Sequence, residues 1–248
     1  MELPALRAYA HTSPTQGDAA VRAPTPMHAG IHVNEIHNGS APLIAASELG
    51  DSVQVAEMLE RGDDVNETDV DGDTPLIIAS RKGYDAVVKK LLQAGANVNE
   101  ANVIGDTALM AASRQGHDAV VDQLLQAGGE VDQADETGDT PLILACMFGH
   151  DAVVAKLLQA GAEVNKAEDG VTPLFIASAY GHKNVVTQLL QAGADVELVA
   201  EDGTTPLTVA LQHGHNAVAE QLKSYIRASK GSVNKRARHN LFVPNLRL

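Results

Sequence analysis

Histidines, a cysteine and clustered carboxylates are the side chains here with the chemistry to hold a metal or attack a substrate, and their spacing decides whether they do. His117, His150, His182 and His215 recur at intervals of 33, 32 and 33 residues, so four potential metal ligands share one register. Zinc needs each nitrogen about 2.1 Å from a single ion. Equivalent positions on neighbouring packed helices stand about 8–10 Å apart. The four therefore predict turn and inter-helix packing residues, and no metal site is expected. Asp69, Asp71 and Asp73 around Gly72 superficially match a calcium loop. The EF-hand pattern wants its Gly after the third acid and a Glu at the twelfth position. Here Gly72 comes too early and the twelfth residue is Ser80.

Cys146, the single cysteine, has no intramolecular disulfide partner, which fits a reducing compartment. It aligns with Ala46, Ser80, Ser113, Ser178 and Leu211. A reactive thiolate needs an electropositive, partly exposed setting, and this small or apolar position predicts a core thiol instead. No Ser-His-Asp arrangement, phosphate-cradling loop or nucleotide fingerprint stands out. The expectation is a protein without catalytic residues, cofactor or small-molecule substrate.

The elements behind these residues come from an internal repeat. Gly39, Gly72, Gly105, Gly138, Gly170 and Gly203 are spaced 33, 33, 33, 32 and 33 residues apart. Two positions later stands Ala41, Thr74, Thr107, Thr140, Thr172 or Thr205, then Pro42, Pro75, Ala108, Pro141, Pro173 or Pro206, then Leu. A Thr N-cap accepts a backbone hydrogen bond, and Pro at the first helical position loses nothing by its missing donor. A first helix begins there. Gly50, Gly83, Gly116, Gly149, Gly181 and Gly214 stop it. A second helix follows, as in Asp85 to Ala94, with Val87, Val88, Leu91 and Leu92 on one apolar face. A polar finger from Gly95 to Gly105 leads into the next unit. Helices this short are marginal alone, so stacking has to stabilise them.

Gly72-Asp73-Thr74-Pro75-Leu76-Ile77-Ile78-Ala79 and Leu91-Leu92-Gln93-Ala94-Gly95-Ala96-Asn97-Val98-Asn99 resemble the ankyrin repeat family over about 38–227. The resemblance implies an all-α stack of helix-turn-helix units with short hairpin fingers, a concave face that binds another protein, and no intrinsic catalysis. Ile44, Ile77, Met110, Ile143, Phe175 and Thr208 stand where the family has His, so apolar contact is expected to replace the hydrogen bonds of that His. The expected units are about 38–71, 72–104, 105–137, 138–169, 170–202 and 203–227, within a repeat domain over 30–227. Gly30 to Glu35 reads as the tail of a degenerate earlier unit, residues 1–29 as a flexible Pro-containing segment, and Leu222-Lys223 as a capping change in the last unit.

Positions that packing fixes recur in every unit, which leaves the varying ones free for contact. The last two residues of the first helices read Glu48-Leu49, Arg81-Lys82, Arg114-Gln115, Met147-Phe148, Ala179-Tyr180 and Gln212-His213. In the family these positions and the fingertips line the binding face. The candidate contacts are thus Arg81, Lys82, Arg114, Gln115, Met147, Phe148, Tyr180 and His213, a basic patch followed by an apolar and aromatic one. Phe148 leads, because a desolvated aromatic anchor contributes about 2 kcal/mol or more. Its alternative is packing over the neighbouring helix, as it is for Tyr180. Val70, Val103, Ile104 and Val171 either add apolar contacts or pack the hairpins. Asp135, Glu136, Asp139, Glu168, Asp169, Glu201 and Asp202 read as solvated turns or a surface for a basic partner.

The chain has 248 residues, 44% hydrophobic, with a net charge of −14. Arg227 to Leu248 carries six Lys/Arg and no acid, so the remainder carries −20 and should repel nucleic acid. The basic segment 228–248 contains Lys235, Arg236 and Arg238, a short match to a nuclear localisation signal. Two readings follow: a monomeric cytoplasmic scaffold, adaptor or inhibitor that binds another protein, or a regulator sent by this segment to the nucleus, nucleic acid or an anionic membrane. No membrane-spanning run or secretory signal is expected.

Overall fold

A computed structural model describes residues 42–240, with side chains to Ser229. The expectations for residues 1–29, for Gly30 to Glu35 and for the last eight residues lie outside the described ones. The chain divides into two compact units between Glu163 and Val164. The first holds four helix pairs: α1 (Pro42–Leu49) with α2 (Ser52–Arg61), α3 (Pro75–Lys82) with α4 (Asp85–Gln93), α5 (Ala108–Gln115) with α6 (Asp118–Gln126), and α7 (Pro141–Phe148) with α8 (Asp151–Gln159). The second holds α9 (Pro173–Tyr180) with α10 (Lys183–Gln191) and α11 (Pro206–Gln212) with α12 (Asn216–Asn240). Within each unit first helices pack on first helices and second on second. The fold among the described residues is the all-α one expected.

Each first helix starts where its cap dictates. The hydroxyls of Thr74, Thr107, Thr140, Thr172 and Thr205 accept from the backbone N–H three residues on, at 3.1–3.3 Å. The first unit has Ala41 at that position and no hydroxyl. Its N–H at Ile44 instead donates to Glu67 Oε1 at 3.2 Å, a carboxylate 23 residues downstream in the finger. Burial, opposed by that hydrogen bond and aided by the charges of Asp63 and Asp64, raises the Glu67 pKa above its ordinary value.

Between successive pairs a glycine receives an imidazole. The ring of His117 lies on Gly83, that of His150 on Gly116 and that of His215 on Gly181. In each case Nε2 donates to the carbonyl two residues before the glycine, Arg81, Arg114 or Ala179, at 3.1, 3.0 and 2.9 Å. A Cβ added at Gly83 or Gly116 would stand 2.6 or 2.5 Å from the ring. Gly116 also has φ +77°, which disfavours any L side chain. Tyr84 plays the part of His on Gly50. Ile44, Ile77, Met110, Ile143 and Phe175 are buried as expected of apolar replacements. Hydrogen bonding between repeats has not been lost with the family His; it runs through these other histidines.

The fingers add a second set of links. Asn66, Asn99 and Asp132 in the first unit and Asn165 in the second accept from the backbone of the next finger, at Asn97, Glu130, Glu163 and Asp195, over 2.8–3.0 Å. The finger shortened by one residue closes differently: Asp169 and Gly170 both have positive φ, 51° and 77°, and Val171 N–H donates to Glu168 at 2.8 Å. That is the geometry of a type I′ turn, for which Asp-Gly is a favoured pair. Val171 is buried, so of its two expected roles it takes hairpin packing.

The core is formed chiefly by the first helices, with Leu43, Leu76, Leu109, Leu142 and Leu174 fully buried, and by Val-Val and the first Leu of α4, α6, α8 and α10. Leu91, Leu124, Leu157 and Leu189 are fully buried, each contributing roughly 1.5–3 kcal/mol. Leu92, Leu125 and Leu158 sit at the rim, half-buried. Ser47, Ser80, Ser113 and Ser178 are fully buried with hydroxyls that meet no partner. Cys146 shares their position, and the first-unit member is Ser47 rather than Ala46. At the other end α12 runs across position 227 to Asn240. The Ala-Gly that ends α4, α6, α8 and α10, as at Ala94-Gly95, is Tyr225-Ile226 here, so no stop signal intervenes.

Two outcomes are expected in urea unfolding. Gly116→Ala should cost about 3 kcal/mol or more, because it strains φ and evicts the His150 ring, whereas Gly128→Ala, at φ +89° with no atom within 4 Å, should cost only about 1–2 kcal/mol. Equal costs would show that the ring contact contributes nothing. Glu67→Ala should cost about 0.5–2 kcal/mol through the lost cap, and Glu67→Gln, which keeps the acceptor and drops the charge, should recover most of it at neutral pH. The sign follows from the raised carboxyl: the folded state holds that proton more tightly, so wild type loses a little stability as pH rises from about 4.5.

Candidate interaction surface

The ends of the first helices are where the expected contacts lie, and their side chains divide into committed and uncommitted groups. Arg81 is committed: its Nη1 lies 2.6 Å from Asp73 in the finger before it. Burial works against its charge, but the hydrogen bond and charge of Asp73 prevail and hold the guanidinium above its ordinary pKa. Arg114 grips Asp106 with both terminal nitrogens, at 2.6 and 3.2 Å. Asp73 and Asp106 are almost completely buried. The expected basic patch is therefore corrected: two of its three charges are neutralised inside the unit, tying each finger to the helix that follows. Lys82 and Gln115 are exposed.

Met147, expected at the surface, is 3% exposed and belongs to the covered side chains. Phe148 is half-buried and stacks on His150, ring centroids 6.2 Å apart. Tyr180 stacks on His182 at 6.3 Å in the second unit, and His213 on His215 at 6.3 Å. The residue before each of these glycines thus lies against the imidazole two positions on. Phe148 and Tyr180 each lie against the histidine two residues on and remain partly exposed.

The chemistry-bearing residues have structural occupations. Asp69 Oδ1 accepts from the N–H groups of Asp71 and Asp73, both at 2.9 Å, which shapes the finger that superficially matches a calcium loop. Asn102 and Asp135 repeat that turn. Full burial pushes the Cys146 thiol far above its usual range, so little thiolate forms. Among the described residues no three His, Cys, Asp or Glu gather as a metal-binding group. No described helix is long and apolar enough to cross a membrane. Lys235, Arg236 and Arg238 fall on the helical backbone of α12.

One feature of the second unit escaped the sequence reading. Thr187, Leu190, Gln191, Gln221 and Tyr225 line a solvent-open cavity of about 280 Å³ between α10 and α12. Its signal was the replacement of Ala-Gly by Tyr225-Ile226.

Helix pairs joined by capped turns and fingers, with the recurring residues serving links between repeats, have the architecture of a repeat scaffold. The model of the ankyrin repeats (3 copies) matches residues 21–102, 94–168 and 160–234, and the chain belongs to that family. Ankyrin repeats generally mediate protein–protein interaction and are generally non-catalytic. A search of the curated proteins found no match.

Burial, followed by the charge of His215, lowers the His213 pKa below the ordinary 6.5. The folded state therefore takes up the proton less readily than the unfolded one, and stability should fall as pH drops from about 6.5 through that lowered value. Imidazole NMR titration is expected to give a midpoint below 6.5, and His213→Gln should remove that part of the pH dependence. A midpoint at or above 6.5 would contradict the packing assigned to this ring.

Proposed function

We propose that the chain is a non-catalytic capture module, a scaffold, adaptor or inhibitor, which holds a partner protein against the ends of its first helices and its fingers. What carries this reading is the division just described. The Gly, His, Thr and Asn positions that recur are used by the scaffold, whereas Lys82, Gln115, Phe148, Tyr180 and His213 differ from unit to unit and keep exposed surface. Aromatic rings held by one packed face lose little entropy on binding and make good anchors. The buried free thiol fits a monomer working in the cytoplasm or nucleus.

The basic segment supports a second reading. Its five Lys/Arg without an acid, carried in part on the helical extension of α12, suit an anionic target or a transport signal. Its binding would weaken steeply with salt.

Capture from native lysate separates the two. Phe148→Glu with Tyr180→Glu should reduce recovery of the partner at least about tenfold with an unchanged far-UV spectrum. Deletion of Ser229 to Leu248 should leave recovery intact. Loss of capture on the deletion alone would shift the function to the basic segment.

A further inference from the structure

The fingers of the first unit carry a charge pattern that names the partner's chemistry. Residues 62–73, 95–106 and 128–139 hold six, two and five acids and no Lys or Arg. Several acids are already employed: Asp73 and Asp106 by arginines, Asp69 and Asp135 by their own turns, Glu67 by the α1 cap. At the tips, Asp71 and Glu136 are exposed. The most exposed aliphatic side chains of this unit's fingers stand on the same tips, Val70 at 97% beside Asp71, and Val103 at 63% and Ile104 at 54% on the next finger. Backbone hydrogen bonds hold the tips in a row, Val103 N–H to Asp71 at 3.1 Å and Glu136 N–H to Ile104 at 3.2 Å.

Three exposed aliphatic side chains on adjacent tips gain by being covered, roughly 25 cal/mol for each Å² removed. The surrounding carboxylates decide by what. They repel an acidic segment, a nucleic acid or an anionic bilayer, and they favour Lys and Arg. A row of tips projecting into solvent suits an extended chain segment, which can touch each tip in turn. We propose that the fingertips of the first unit bind a segment of another protein in which Lys or Arg side chains alternate with aliphatic ones, the aliphatic groups on Val70, Val103 and Ile104 and the cations toward Asp71 and Glu136. This rests on the capture reading above and supplies its partner class. Three fingers repeating every ~8–10 Å are crossed by about six extended residues at ~3.3 Å each.

The test uses the full chain and a displayed library of random peptides of about twelve residues, with the best binders then synthesised. Enriched peptides are expected to be cationic and to contain at least two aliphatic residues. Their affinity should fall about tenfold in Val103→Ser with Ile104→Ser, exposed changes that leave the melting curve in place, and by a similar factor between about 50 and about 250 mM salt. Asp71→Asn with Glu136→Gln should abolish the preference for Lys and Arg. Neutral or acidic winners, binding indifferent to the fingertip changes, or no enrichment would overturn the proposal. Peptides that lose affinity only in Phe148→Glu with Tyr180→Glu would overturn it too, yet leave the capture reading standing. A synthetic peptide of this chain's residues 232–248, run in parallel, should bind more weakly than the library winners. Equal or tighter binding at the same tips would assign them to a second copy and overturn a foreign partner.

Discussion

A glycine that must lack a Cβ because a ring from the next repeat occupies the space is the contact on which the helix pairs depend. At Gly116 the left-handed backbone ends α5, and the cleared side receives His150. The His150 ring in turn donates to Arg114, a carbonyl of the helix end that the glycine creates. One residue therefore serves a local and a non-local purpose at once. Neither works alone: without the partner repeat the helix end is merely frayed, and without the helix end the ring has no acceptor. Such reciprocal dependence is the microscopic form of nearest-neighbour coupling in a one-dimensional repeat array. Around it, within each compact unit, the Thr caps, the Asn and Asp finger acceptors and the buried Leu repeat with the same period.

The two irregular ends of the described residues show how the scheme is adapted. Asp51 stands where later units place Tyr84 or His, and it caps α2 itself, accepting from Val53 and Gln54 at 3.1 and 3.0 Å. Nearby, Glu67 supplies the acceptor that Ala41 lacks, drawn from the finger rather than from the preceding turn. In the last pair, Gly214 has no atom within 4 Å of an added Cβ, and α12 continues through the position at which its counterparts stop. Substitutions inside a repeat are thus answered by a neighbour that lies close in space and far in sequence.

That distance explains what was legible. Thr-Pro starts, Gly stops and the Val-Val-x-x-Leu face depend on residues close together in the chain, and the helices fall where those signals place them. Arg81 and Arg114 were misread because their acids, Asp73 and Asp106, lie eight residues back across the finger-to-helix turn, a separation that helix periodicity does not flag. Variation between repeats is not freedom at every position, since an Arg present in only two units is structural in both. Met147 fails for a related reason: its burial depends on what surrounds the helix end, which a single unit's pattern does not contain. The Asp-Gly pair of the shortened finger could have been read, since two residues with positive φ make a turn that needs one residue fewer.

Variable positions in a repeat scaffold consequently fall into two thermodynamic kinds. Arg114 carries an almost buried acid on its guanidinium; removing it strands Asp106 in a dry site, a loss of several kcal/mol that is paid in stability whatever the partner. Val70, Val103 and Ile104 touch mostly water, and replacing them alters folding by no more than about 0.5 kcal/mol. Only the second kind can change without unsettling the locks beneath, so specificity can be rewritten there while the scaffold stays as it is. An acidic finger obeys the same division: Asp69 and Asp135 must remain to form the turn, whereas Asp71 and Glu136 are held by no such duty. The charge presented to a partner is set by carboxylates the fold does not need, and the buried acids beneath them are already matched by Arg81 and Arg114.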